Sequence, residues 1–293
     1  MSTTELFASW RGNLAWGDRA AGLAEIFPEL PSYDALEERL RMEIGHGYHP
    51  APAVAAALDD LTDDERQAFL YGFLLWQMGN FPERFAASRL PQEFALHYAD
   101  CFHRVMDGIE DRSFPYDLRL DLVHKDLALT RLALIPAVAQ LLYPHAGVPM
   151  KPLLTWGPGA WRYVWGRCGG RSPMVEIHTH DPMAGAYFNA AGWEETYRLT
   201  ALLMRGSGEL RGLIGFSWFY DPQLEELSPR LGYLRHSPVS QGARLVPMDA
   251  DGDSARLATA TSPSRRAAYE AGAYRPRRHG LIWSRADMLK HYP

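Results

Sequence analysis

Several features are scarce or missing in this sequence of 293 residues, and each absence excludes a class of protein. The two cysteines, Cys101 and Cys168, lie far apart and form no C-x-x-C pair, which excludes a disulfide framework and a zinc knuckle. No run of about eighteen apolar residues is present, so we expect no membrane span. The N-terminal segment lacks a basic start followed by an apolar stretch, so we expect no secretory signal. These absences predict a cytoplasmic protein without a membrane partner.

An excess of basic charge is also missing, since 30 Lys and Arg residues face 35 Asp and Glu residues and give a formal net charge of −5. Domains that bind nucleic acid usually carry a basic surface, so we expect no nucleic-acid partner. The hydrophobic content of 47% is sufficient for a folded core, and the length allows one large domain or two ordinary ones. No internal repeat or low-complexity tract indicates a solenoid or a linker.

The first half of the chain carries helical patterns. Apolar residues recur at helical spacing in four segments, 33–43, 61–78, 91–109 and 118–142. Thr62 followed by Glu65 predicts a capping box at the start of the second segment. Pro136 should kink or break the last one, because proline removes a helical hydrogen bond. We therefore predict an all-helical domain over residues 1–150.

The second half has a mixed pattern. Residues 143–172 are rich in Pro, Gly and Trp, and they predict a boundary near residue 150 and a short strand or hairpin around 161–165. Beyond this boundary we predict strands at 175–180, 213–220, 231–234 and 278–283, helices at 193–204 and 285–291, and a hairpin of 242–248 with 255–261. The fold class is therefore α+β, with an all-helical region followed by a mixed α/β domain over 151–293.

The segment VEIHTHDP, residues 175–182, holds the densest group of chemically capable side chains. Because strand side chains alternate, Glu176, His178 and His180 should share one face, with successive groups roughly 7 Å apart. Imidazoles with a carboxylate can bind a metal ion or transfer protons. A polar sheet face without any catalytic role produces the same pattern, so the spacing alone leaves these interpretations open.

A motif near the C-terminus carries a resemblance to a known family. The segment SPSRRAAYEAGAYRPRRHGLIW, residues 262–283, follows a predicted strand and leads into another. It resembles the final motif of the GNAT (N-acetyltransferase) superfamily, in which N-x-x-A-x-x-L-Y-E-K-x-G-F stands between two strands. Tyr269 and Glu270 match the Tyr-Glu pair, Ser262 falls at the Asn position, and Tyr274 falls at the Phe position. The preceding order of strand, helix and buried strand is also similar.

The resemblance implies a GNAT-like central sheet, an acyl-CoA cosubstrate, and transfer of the acyl group from its thioester to an amine. It implies that Tyr269 protonates the departing thiolate. The amine must lose a proton to attack, and Glu176, His178 or His180 would accept this proton. A small-molecule substrate is expected, and no resident metal.

The resemblance also implies a phosphate-binding segment. The family pattern Q/R-x-x-G-x-G/A binds pyrophosphate through backbone N–H groups at a helix N-terminus. Here Gln241, Gly242 and Ala243 represent a fragment of that pattern. We predict that Arg235, Ser240, Gln241 and Gly242 face the phosphates of the cosubstrate.

Two other classes of function stay open from the sequence. A metal-dependent hydrolase or oxygenase would use His178, His180 and a carboxylate as ligands. A non-catalytic binding protein would use the helical half as its partner surface. The sequence does not specify the oligomeric state.

Overall fold

The computed structural model of the protein describes residues 32–43, 58–88, 90–110, 129–132, 134–136, 140–178, 188–248 and 252–293. The chain divides into two compact units, Met1–Pro136 and Ala137–Pro293. The sequence predicts a division into 1–150 and 151–293, and the boundary between the compact units falls before residue 150. It lies earlier because the segment after Pro136 contributes a strand to the sheet of the second unit.

The described residues of the first unit form three of the predicted helices and one short strand. These elements are α1 (Tyr33–Glu43), α2 (Asp63–Ala87), α3 (Phe94–Glu110) and β1 (Leu134–Ile135). The helices confirm the predicted segments 33–43, 61–78 and 91–109. The predicted helix over 118–142 is confirmed at 129–130, which are helical, and is wrong further along, where the described residues form strands at 134–135 and from 140 onward. The helical stretch ends before Pro136, at a turn in which Leu132 has a φ of +61°, outside the range of a right-handed helix.

The start of α2 confirms the predicted capping box. The Thr62 side chain accepts a hydrogen bond from the backbone N–H of Glu65, and the Glu65 carboxylate accepts one from the backbone N–H of Thr62 at 2.9 Å. Aromatic rings of α2 and α3 then pack together in the core, with Phe81 4.6 Å from Tyr98 and 4.8 Å from Phe102 between ring centroids. The aromatic residues of α2 therefore serve packing.

A buried polar network joins α1 to α2. The Glu37 carboxylate is 6% exposed and accepts hydrogen bonds from Gln77 and Arg131. Arg84 lies 3.6 Å from the same carboxylate and donates to the Gln77 side chain and to the carbonyl oxygen of Thr130, both at 2.6 Å. Each charge thus has an opposite charge and hydrogen bonds, which buried ionic groups require.

The sheet of the second unit is mixed. Its strands are β2 (Gln140–Ala146), β3 (Met174–His178), β4 (Gly212–Ser217), β5 (Arg244–Pro247) and β6 (His279–Ser284). They lie in the order β2-β3-β4-β6-β5. The pair β3–β4 is parallel, and the pairs β2–β3, β4–β6 and β5–β6 are antiparallel. A parallel pair needs a long crossover connection, which here contains a helix.

Helices and helical turns make up much of the rest of the described second unit. The helices are α4 (Met150–Thr155), α5 (Pro158–Arg162), α6 (Ala190–Gly206), α7 (Leu224–Leu227), α8 (Tyr233–Ser240), α9 (Gly252–Ala260), α10 (Pro263–Glu270) and α11 (Arg285–His291). A π turn spans Tyr163–Arg167, and 3₁₀ turns span Trp218–Tyr220 and Pro229–Leu231. None of the helices in the described stretches combines the length and the apolar character that crossing a bilayer requires.

Most of the predicted elements around the sheet are confirmed. The described strands β3, β4, β5 and β6 and the helices α6 and α11 occur where periodicity predicts them. Strand β4 ends at Ser217, earlier than predicted, because the Ser217 hydroxyl accepts a hydrogen bond from the N–H of Phe219 and starts a 3₁₀ turn. Residues 179–180 of the first predicted strand lie outside the described residues.

Three predicted strands are helical instead. Residues 161–165 belong to α5 and the π turn, 231–234 to a 3₁₀ turn and α8, and 255–260 to α9. In α9 the buried residues Ser254 and Ala258 lie four apart, which is the spacing of one helical face. The alanines of this segment also favour a helix. Local patterns of four to seven residues did not distinguish the two structures.

Strand β4 lies at the centre of the sheet and is buried on both faces at Leu213 and Ile214. On one face Ile214 packs with Met174, Val164 and Ile282. Gly212 allows β6 to approach closely, because a Cβ atom at this position would clash with the carbonyl oxygen of Trp283. The close pairing of β4 with β6 therefore needs glycine here.

We expect Gly212→Ala to lower the free energy of unfolding by about 1–3 kcal/mol, because the added methyl group meets backbone that cannot move aside. Urea denaturation followed by tryptophan fluorescence measures the change. Gly208→Ala is the matched control, since nothing lies within 4 Å of a Cβ atom there. The control should change stability by less than about 0.5 kcal/mol. Equal effects of the two substitutions would contradict the close contact.

Candidate functional site

A cleft of about 1110 Å³ opens in the second unit beside the carboxyl end of β4. Phe216 and Ser217 at the end of this strand line one side, and Asn189 and Ala190 at the start of α6 line another. Because α6 connects the parallel strands β3 and β4, its N-terminus returns to their carboxyl edge. Ligands of α/β proteins bind in crevices at this edge. The cleft is therefore our candidate site.

An aromatic wall, formed by Phe188, Trp218 and Phe219, borders the cleft. The ring centroids of Trp218 and Phe219 lie 4.2 Å apart, and those of Phe188 and Phe219 lie 5.2 Å apart. The guanidinium of Arg265 lies 4.9 Å from the centroid of the Trp218 ring. This stack gives the cleft a rigid apolar surface that ends in a cation.

Positive charge predominates in the cleft. Arg230, Arg265 and Arg278 line it, whereas Asp253 is the one acidic residue among its described lining residues. The carboxylate of Asp253 lies 3.4 Å from the guanidinium of Arg256, which compensates its charge. A concave site with this charge balance attracts anionic ligands.

The buried carboxylate of Asp221 holds one side of the cleft in place. It accepts hydrogen bonds from the backbone N–H groups of Gln223 and Arg277, both at 3.0 Å. The segment after Arg277 then places the Arg278 guanidinium 5.6 Å from the centroid of the Phe216 ring. Asp221 thus connects the end of β4 to the segment that carries one of the cleft arginines.

The predicted strip on β3 lies next to the cleft. The Nε2 atom of His178 lies 3.2 Å from the Oε1 atom of Glu176, and both side chains are partly exposed. Glu176 pairs with Ile214 in the parallel register, so His178 lies beside Phe216, roughly 5 Å away across the sheet. The structure therefore brings Glu176 and His178 together near the cleft.

The third member of the strip, His180, lies outside the described residues. Within the described stretches no group of three or more His, Cys, Asp or Glu side chains could hold a metal ion. Of the strip, the described residues include two possible metal ligands, Glu176 and His178, for the alternative of a metal-dependent enzyme.

The structure does not place Tyr269 among the residues that line the cleft. Tyr269 lies on α10, where the Arg275 guanidinium is 5.5 Å from its ring, and it packs against the cluster around Trp218 and Tyr274. Tyr233 on α8 does line the cleft, and its buried hydroxyl has no hydrogen-bond partner in the described structure. Burial raises the pKa of Tyr233 to about 12, so it stays protonated at neutral pH.

The four predicted phosphate-binding residues lie on α8 and at its C-terminus. The buried Arg235 donates to the Glu225 carboxylate, and the Ser240 hydroxyl donates to the carbonyl oxygen of Ser237 at 2.8 Å. The backbone N–H groups of Gln241 and Gly242 donate to carbonyl oxygens of α8 at 3.2 and 3.1 Å. A helix C-terminus carries partial negative charge. This position therefore does not offer the donors that a pyrophosphate needs.

Gly242 has a backbone conformation that favours glycine, and it contacts a network of hydrogen bonds. Its φ of +102° favours glycine, and a Cβ atom there would lie 3.0 Å from the carboxylate carbon of Asp287. The Tyr163 hydroxyl donates to the Gly242 carbonyl oxygen at 2.8 Å. Asp287 in turn accepts hydrogen bonds from both Arg167 and the Ser284 hydroxyl, the latter at 2.6 Å. This network joins the π turn to β6 and α11.

Cys168, at the end of the π turn, is buried. Burial, with a smaller contribution from the Asp287 carboxylate, raises the pKa of its thiol to about 12. The thiol stays protonated at neutral pH, so it lacks the thiolate form that a nucleophile needs.

The chain was compared with protein-family models, with curated proteins and with solved structures, and none of the three comparisons gave a match. The cleft, its charge and the neighbouring strip are therefore the observations that bear on function.

The Asp287 network predicts a pH-dependent stability. Hydrogen bonds from Arg167 lower the pKa of Asp287 in the folded protein. Its contribution is therefore fully present above the unfolded pKa of about 3.9 and is lost as the pH falls through the lower folded value. We expect Asp287→Asn to lose about 1 kcal/mol at pH 7, since Arg167 is largely exposed, and less at pH 3.

Urea denaturation at both pH values measures this difference. Asp253→Asn is the control, because its pair with Arg256 is exposed and should contribute less than about 0.5 kcal/mol. A deficit of Asp287→Asn that stays constant from pH 7 to pH 3 would exclude the ionic contribution.

Proposed function

We propose that the second unit is an acyltransferase that binds an acyl-CoA thioester in the cleft and transfers the acyl group to an amine. The observation that supports this most is a large, cationic, aromatic-lined cleft at the carboxyl edge of the one parallel strand pair described, where α6 begins. An acyl-CoA has negative phosphates, a planar base and an apolar arm. Arginines suit the phosphates, and aromatic rings suit the base and the arm.

We further propose that the sheet is GNAT-like. The succession of β3, α6 and β4, followed later by α10 and β6, has the order that the sequence resemblance implies. The Tyr269-Glu270 pair, which matches the Tyr-Glu pair of the family motif, lies at the end of α10. The strands expected at 231–234 and at 255–261 are both helical, so this support comes from β3, α6, β4, α10 and β6.

The strip on β3 supplies the proton acceptor for the proposed reaction. An amine that loses its proton to His178 can attack the thioester carbonyl, and Glu176, 3.2 Å away, stabilises the imidazolium that forms. The collapse of the addition product breaks the carbon–sulfur bond and releases a thiolate. Tyr233 is the proton donor that the cleft offers to this thiolate, in place of Tyr269.

We expect purified protein to be stabilised against thermal unfolding by one or more members of a panel of short- and long-chain acyl-CoAs. A ligand at a hundred times its dissociation constant adds about 2.7 kcal/mol, which raises the Tm by a few degrees in a chain of this size. Acyl-pantetheine thioesters, which lack the phosphates, are the matched control and should stabilise less. Unchanged Tm values across the whole acyl-CoA panel would contradict the proposed cosubstrate.

We expect His178→Asn to reduce acyl transfer by about 10²- to 10⁴-fold, which is the contribution of general acid–base catalysis. The stabilisation by acyl-CoA should persist, because His178 does not bind the donor in this proposal. The matched control is His236→Asn, which alters an exposed His–Glu pair, with Glu225 at 2.8 Å, that does not line the cleft. Full turnover in His178→Asn would exclude the strip from catalysis.

A further inference from the structure

We propose that Arg265, with Arg230 beside it, anchors a carboxylate or phosphate group of the ligand that occupies the cleft. This inference deepens the proposed function, because it names the group that the ligand presents, and it rests on the cleft being the substrate site. The anchor lies on α10 and on the 3₁₀ turn 229–231, away from the predicted phosphate residues of α8.

The first observation is a buried cation that has no counter-charge among the described residues. Arg265 is 3% exposed, and no carboxylate in the described part of the chain lies within ion-pair distance of it. Burial lowers the pKa of Arg265, and the nearby Arg230 lowers it further. Charged side chains are almost never fully buried unless they are paired. An anionic ligand group would supply the missing charge.

The second observation is the way in which the guanidinium is held. Its Nε donates to the carbonyl oxygen of Ala258 at 2.5 Å, and its Nη1 donates to the Ser228 hydroxyl at 2.9 Å. Its Cζ atom lies over the Trp218 ring, 4.9 Å from the ring centroid. The third nitrogen, Nη2, has no hydrogen-bond partner in the described structure. The guanidinium is therefore fixed in orientation and retains donors for a ligand oxygen.

The third observation is the like charge beside it. Arg230 lines the same cleft, is exposed, and forms no ion pair or hydrogen bond with the described residues. Two neighbouring guanidinium groups repel each other unless an anion lies between them. Carboxylate and phosphate oxygens both accept such charge-assisted hydrogen bonds. The phosphates of an acyl-CoA and the carboxylate of an amine acceptor are the two sources.

The test compares Arg265→Met with Arg266→Met. Arg266 directly follows Arg265 on α10 and is exposed. It donates to the carbonyl oxygens of Thr259 and Ala260 at the end of α9, so its substitution removes the same charge and similar hydrogen bonds. The probes are inorganic pyrophosphate and succinate, and the readout is the dissociation constant from titrated thermal shifts. We expect Arg265→Met to weaken at least one probe about tenfold or more, and Arg266→Met to leave both unchanged.

The two probes distinguish the sources of the anion. If Arg265→Met weakens the binding of pyrophosphate, the anchor binds phosphate. If the substitution weakens the binding of succinate, the anchor binds carboxylate. Equal binding of both probes by wild type and Arg265→Met, or no binding by wild type, overturns the anchor. Arg230→Met is the second variant, because an exposed side chain without described contacts can be replaced without loss of the fold. It should weaken the same probe severalfold.

The acyl-CoA panel, measured on the same proteins, separates this inference from the proposed function. If Arg265→Met weakens probe binding but no acyl-CoA raises the Tm of the wild type, the result supports the anchor and contradicts the acyltransferase. If acyl-CoA raises the Tm of the wild type and of Arg265→Met equally, and the two proteins bind the probes equally, the result supports the acyltransferase and contradicts the anchor.

Discussion

The position of β4 between β3 and β6 is the constraint on which the second unit depends. Two glycines of this strand allow close approach from both sides, since a Cβ atom at Gly212 would meet the backbone of β6 and one at Gly215 would lie 2.6 Å from the Ile177 side chain and 2.8 Å from the Tyr220 hydroxyl. The parallel pairing with β3 then requires the crossover through α6. This crossover brings the start of α6 to the edge where the cleft opens, so the location of the candidate site follows from the strand pairing.

The chemistry of the cleft comes from segments that are distant in the sequence. The end of β4 supplies the aromatic wall together with Phe188, α10 supplies Arg265, and the segment fixed by Asp221 supplies Arg278. The Arg265 guanidinium lies over the Trp218 ring and the Arg278 guanidinium lies over the Phe216 ring, so an aromatic surface covers one side of both cations. The proton-accepting pair on β3 borders this surface without being part of it. Anion binding and proton transfer thus belong to neighbouring but separate elements.

Local patterns predicted the parts of the fold in which one period is sustained. The capping box of α2, the buried strand β4, and the pairing of Glu176 with His178 on one face all follow from spacing within a short segment. The prediction for 255–261 failed because alternating Ala, Thr and Leu residues fit a strand and a helix equally. The cleft arginines have no common spacing, and the sequence offers only one weak signal for them, the basic residues that flank the aromatic segments. The fragment Gln241-Gly242 was misleading, since its role depends on whether a strand or a helix precedes it.

The burial of both native cysteines has a practical consequence for spectroscopy. Cys101 and Cys168 are inaccessible to reagents in the folded state, and the raised pKa of Cys168 suppresses its reactivity further. A cysteine introduced at Leu257, which lines the cleft and is 48% exposed, would then be the one thiol that a maleimide dye modifies. Site-specific fluorescence at the cleft can therefore be obtained from a single substitution, with the wild-type cysteines left in place.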